Sequence, residues 1–135
     1  MSPRRLLRGV LAAAMMAVGV MHFAAPAPFV RIVPAWLPAP LALVWVSGFF
    51  EILGGAGLLV PRARRAAGIG LVALYVAVFP ANLNMAVNHI AFDDASPIPP
   101  ALLWLRLPLQ AVLIAWALWV SMEPRAPIDV SRPRP

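Results

Sequence analysis

Few side chains in this sequence could do chemistry, and nearly all of them interrupt apolar runs. Glu51 stands inside SGFFEILGGAGLL (Ser47 to Leu59), and Asn84 and Asn88 fall one helical turn apart in FPANLNMAVN. Arg106 and Gln110 have the same spacing in LLWLRLPLQ, and His22 closes GVMH. A carboxyl, a guanidinium, amides and an imidazole can hold or move a proton and hydrogen-bond a polar head group. No metal site is expected, because His22 and His89 lack a helical ligand spacing and the chain contains no cysteine. The missing thiols also exclude disulfide exchange and iron-sulfur ligation. With no haem, flavin or cluster ligands recognisable, no covalently bound cofactor is expected, and the chain reads as no catalyst on its own.

The elements that must position these groups follow from composition. Hydrophobic residues make up 62% of the 135, mean hydropathy is +0.84, and charged residues are only 12%. That is the composition of a membrane protein. Four apolar segments, 6–25, 41–60, 66–87 and 101–122, each approach the roughly 20 residues that cross a bilayer as a helix. Open strands would leave backbone groups unsatisfied in lipid, and four segments cannot close a barrel. The fold class is therefore all-α, an integral membrane four-helix bundle over residues 1–122, with 123–135 as a disordered cytoplasmic tail. The first segment reads as a helix rather than a cleaved signal peptide, because Pro28 directly follows the would-be cleavage residue Ala27 and the apolar run is too long. The proline-rich stretch 26–40, with Trp36, reads as an extended or interfacial linker.

All eleven basic residues are arginine, which together with sixteen prolines and abundant alanine points to a high-GC bacterial genome. A net charge of +6 would suggest nucleic acid in a soluble protein, but no basic patch interleaved with aromatics exists. The arginines stand instead at the ends of apolar runs. Arg4, Arg5, Arg8, Arg62, Arg64, Arg65, Arg125, Arg132 and Arg134 fall on one side of the expected topology, and Arg31 alone lies in the loops of the other. The positive-inside rule then places both termini in the cytoplasm, in the bacterial inner membrane.

In that orientation Glu51 lies roughly 15 Å below the outer surface, Arg106 about 8 Å and Gln110 about 14 Å. His22, read as interfacial, Asn84 and Asn88 share the same outer half. The expectation is a polar cavity open to the outer face with Glu51 at its floor. Ser47, Gly48, Gly54 and Gly55 share the face of Glu51, and Gly70, Ala73, Ala77 and Ala81 form a small-residue stripe with Asn84 and Asn88, while Asn82 points elsewhere. Pro80 should free the Val76 carbonyl for an asparagine or a water. Arg106 is the one basic residue inside another apolar segment, so it is the expected partner of Glu51. The bland alternative is that these groups are interhelical glue, with a protonated Glu51 donating a hydrogen bond and Arg106 reaching out to Asp93 and Asp94.

From about Gly19 to Trp119 the chain resembles the DoxX-like small membrane proteins of bacteria. The likeness rests on His22 and Phe23 ahead of the proline-rich loop, SGFFEILGGAGLL, FPANLNMA and LWLRLPLQ. It implies a four-helix bundle in the cytoplasmic membrane and an association with quinone-linked redox systems. Some relatives are linked to thiol redox maturation, and this cysteine-free chain departs from them.

Two functions of different class follow. The first is an accessory or quinone-associated redox subunit, in which Glu51 accepts a proton and Arg106, Asn84 or Gln110 donate hydrogen bonds. The second is a non-enzymatic protein that binds a membrane partner or a second copy through its small-residue faces. A small permease is a third reading, constrained by how little room four helices leave for alternating access.

Overall fold

The computed structural model describes residues 2–93 and 95–122. Among them are five helices and no strand: α1 (Pro3–Ala24), α2 (Ala27–Ile32), α3 (Pro40–Leu59), α4 (Arg64–Val87) and α5 (Pro100–Ser121). The four long helices have 20 to 24 residues and span roughly 30 to 36 Å at the α-helical rise. All four are long and apolar enough to cross a membrane. Three of them open on proline, where the locked φ suits the first turn and the missing N–H has no partner to lose. The tail expected at 123–135 lies outside the described residues.

The long helices pack in the cyclic order α1, α3, α4, α5, each antiparallel to its neighbours, with α3 and α5 on one diagonal. One end of the bundle carries Arg4, Arg5, Arg8, Arg62, Arg64 and Arg65, and the other carries His22, His89 and Asp93. These are called the arginine end and the histidine end. Leu11, Ala12, Met15, Leu58, Leu71, Tyr75, Ala117 and Val120 form one core cluster, and Ile32, Met85, Ala86 and Leu103 a second at the histidine end. Apolar side chains such as Val46, Phe49, Leu53, Val76 and Val112 stay more than half exposed around the outside, as lipid-facing residues would.

The α1–α3 pair is the most extensive contact, and glycine makes it possible. A Cβ on Gly19 would stand 2.6 Å from the Gly48 carbonyl oxygen, and one on Gly55 would stand 2.7 Å from that of Ala12. The two backbones therefore touch directly, as small residues permit.

At the arginine end, side chains finish the helices. Arg8 Nε donates to the Val120 carbonyl at 2.9 Å, Arg4 donates to that of Trp119, and Arg64 Nε donates to Leu58 at 3.2 Å. Each of those carbonyls belongs to a last helical turn that lacks backbone donors.

Two expectations are corrected. Residues 27–32 are helical rather than extended, because Pro26 and Pro28 fall at the cap and first turn, where proline is tolerated, and Pro34 then forces Val33 out of the α region. The stripe Gly70, Ala73, Ala77 faces outward, with open space around Gly70. The buried face of α4 lies about one residue further on, at Gly68, Leu71, Tyr75, Met85 and Ala86. That register buries the larger side chains, and Gly68 lets Ala117 and Ser121 of α5 approach.

Candidate functional site

Glu51 sits midway along α3 and is 9% exposed; His22, in the last turn of α1, is 7% exposed. Gly19 and Gly48 bring the two helices together just there, and His22 Nδ1 lies 3.2 Å from Glu51 Oε2. The same nitrogen stands 2.8 Å from the Val18 carbonyl oxygen. A carbonyl can only accept, so Nδ1 carries a hydrogen, and it is directed at Val18. Glu51 Oε2 thus has the ring beside it without a hydrogen bond, and it is a buried acceptor left without a donor. Burying such a group unsatisfied costs about 1 to 3 kcal/mol. The Tyr75 phenol donates to Met15 Sδ at 3.0 Å across the core.

A second polar group joins α4 to α5. Asn82 Nδ2 donates to Gln110 Oε1 at 2.8 Å, Gln110 Nε2 donates to the Tyr75 carbonyl, and an Arg106 N–H reaches Asn82 Oδ1 at 3.4 Å. Asn82 points away from the small-residue stripe, as its spacing suggests, and belongs to this network. It lies seven residues after Tyr75 and three before Met85, on the buried face. The carbonyl served near Pro80 is that of Tyr75, and the amide serving it is glutamine from α5 rather than asparagine.

Asn84 donates to the Ile32 carbonyl at 2.9 Å and so ties α4 to the end of α2, and Asn88 donates to Asn84 Oδ1 at 2.7 Å from an exposed position. Both amides work within the bundle.

The expected Glu51–Arg106 pair is not formed. Their helices are diagonal, and Arg106 turns instead to Asn82 and to the face of Phe92, its guanidinium carbon 5.3 Å from the ring centroid. His22, read as interfacial, is the neighbour Glu51 has. The two polar groups are nevertheless joined by aromatic rings. His22 stacks on Phe29 of α2 with centroids 3.9 Å apart, Phe29 lies 6.3 Å from Phe92, and Phe92 meets Arg106. Sequence reasoning missed this arc. Its signal was two phenylalanines in the connections that flank the histidine end. Among the described residues no group of three or more metal-ligating side chains occurs.

A family model described as a domain of unknown function, DUF8561, matches residues 11–121. The chain belongs to the DUF8561 family. No curated protein and no solved structure matches it.

Proposed function

We propose that this chain is a multi-pass protein of the bacterial cytoplasmic membrane with both termini inside, and that His22 and Glu51 bind the polar head of a small apolar molecule. Buried Glu51 Oε2 without a donor carries this reading. The ligand class is a quinone, and the chain is the accessory subunit that holds it. A quinone–quinol pair fits on two grounds: the quinol hydroxyl can donate to Glu51 Oε2 and pass it a proton, and its flat ring is of the kind that stacks on aromatic side chains such as Phe29. Bound there, it would supply the electron-carrying ring, while the protein's own groups orient it and hold a proton at Glu51. Likeness to the DoxX-like proteins stands as part of this proposal.

Orientation is supported by the six described arginines at one end of the bundle against Arg31 in the connections at the other. Reporter fusions after residue 93 and at the C-terminus test it: the first should report outside and the second inside, and the reverse would overturn it. Extraction of the purified protein tests the ligand. Quinone recovered in stoichiometric amount supports the first reading. A protein partner recovered without any small molecule supports assembly instead, which the internally satisfied Asn82, Asn84 and Gln110 favour.

A further inference from the structure

The ring of four long helices is unevenly closed, and its α1–α5 side has the least extensive contact. Toward the arginine end of that side lies an apolar groove of about 420 Å³, lined by Leu7 of α1 and by Val112, Ala115, Trp116 and Trp119 of α5. Its size falls in the range of about 300 to 1,000 Å³ usual for ligand clefts. Leu7, Val112 and Trp119 stay exposed, so the groove opens on the flank that membrane-length helices turn to lipid.

Two hydrogen-bond donors at this seam are buried without a partner among the described residues: Trp116 Nε1 and Arg4 Nε. Arg4, in the first turn of α1, donates to the Trp119 carbonyl, and its guanidinium carbon stands 5.6 Å from the centroid of the Trp119 ring. It therefore marks the rim of the groove. Trp116 comes five residues before the end of α5, about 8 Å inside it, and Val112 lies about 14 Å inside. Trp116 is only partly buried in the groove wall, and the broad χ2 preference of an indole lets its N–H turn to an acceptor there.

Polarity along the groove thus specifies what fits it. The occupant must be apolar along Leu7 and Val112, carry a neutral acceptor at the depth of Trp116, and carry at the rim an acceptor suited to a guanidinium. A helix from a second copy would bring no acceptor to that depth, because its backbone carbonyls are already bonded. A glycerophospholipid brings both acceptors in the right order: phosphate level with the helix ends, ester carbonyls just inside, and chains below.

We infer that the α1–α5 groove holds one glycerophospholipid, with its phosphate at Arg4, an ester carbonyl accepting from Trp116 Nε1 and an acyl chain along Leu7 and Val112. The inference rests on the membrane reading but not on which face is cytoplasmic, nor on the His22–Glu51 site. Inverted reporter fusions would leave the groove and its lipid in place, and loss of the lipid would leave the topology standing.

The test uses the full-length protein in an uncharged detergent, with diester phosphatidylcholine or its diether counterpart of the same chain length, which lacks the ester carbonyls. Retained lipid is read by native mass spectrometry. The wild-type protein should retain one diester lipid per chain, about fivefold more strongly than the diether, the worth of one hydrogen bond. Trp116→Phe keeps an aromatic ring but removes the N–H, and should bring the diester down to the diether level. Trp104→Phe, an exposed position near the other end of α5, should change neither. Arg4→Gln should weaken both lipids alike, because both carry the phosphate. Equal retention of the two lipids by the wild-type protein would overturn the inference without recourse to any variant. Equal loss in Trp116→Phe and Trp104→Phe, undiminished retention in Arg4→Gln, or a lipid-free dimer would overturn it as well.

Discussion

His22 Nδ1 lies 3.2 Å from Glu51 Oε2, yet its hydrogen is committed to the Val18 carbonyl at 2.8 Å. The carboxyl is therefore coupled to α1 and not to α5. Thermal unfolding in detergent should show coupling of at least about 0.5 kcal/mol in a double-mutant cycle of Glu51→Gln with His22→Gln. The cycle of Glu51→Gln with Arg106→Gln should be additive within about 0.5 kcal/mol. A strong Glu51–Arg106 coupling would contradict the diagonal placement of their helices.

Glycine packing makes the α1–α3 contact sensitive to a single added methyl group. Gly48→Ala would put a Cβ 2.6 Å from His22 Cβ and 2.9 Å from the Gly19 carbonyl oxygen, neither of which is a flexible side-chain end. It should cost about 1 to 3 kcal/mol as overpacking. Gly70→Ala meets open space and should be neutral or stabilising by up to about 1 kcal/mol through helix propensity. Paired melting curves of the two variants check the contrast.

The asparagines should separate in the same assay. Asn82→Ala strips Gln110 Oε1 of its donor and Arg106 of an acceptor, and should cost about 1 to 2 kcal/mol. Asn88→Ala acts at an exposed site and should stay within about 0.5 kcal/mol. Equal costs would mean that the α4–α5 network is not what holds that end together.

The end of α4 holds a correctable strain. His89 adopts φ of 50°, and the Ile90 N–H returns to the Met85 carbonyl at 3.0 Å, a helix stop in which glycine is the usual residue. His89→Gly should raise stability by about 0.5 to 1 kcal/mol; a loss would show that the imidazole makes a contact of its own.

Periodicity and length were enough to read the four long helices to within two residues at nearly every end, because a 20-residue apolar run has one satisfied form in lipid. Glu51's face was legible too, since Gly48, Gly54 and Gly55 announce a close helix contact and the structure buries them with it. What could not be read was which neighbour that face meets. Helical spacing orders residues around one axis but says nothing about whether α3 touches α1 or α5, so the sequence points to Arg106, the one basic residue inside another apolar segment, and leaves His22 at the interface. The register of α4 failed for a related reason: small and large stripes lie about 100° apart, and burial of Leu71, Tyr75 and Met85 outweighs close approach at Gly70. α2 was hidden by its prolines, which usually break helices but here fall at a cap and a first turn.

The most direct measurement compares the wild-type protein and Glu51→Gln for binding of a short-chain quinone, read as quenching of tryptophan fluorescence, alongside their unfolding temperatures. If Glu51 is there for its proton, the variant should keep its fold to within about 1 kcal/mol, since an amide still hydrogen-bonds across helices, and lose at least tenfold in affinity. A Glu51→Gln protein that is as stable as the wild type and binds as well would contradict the account and leave Glu51 as interhelical glue.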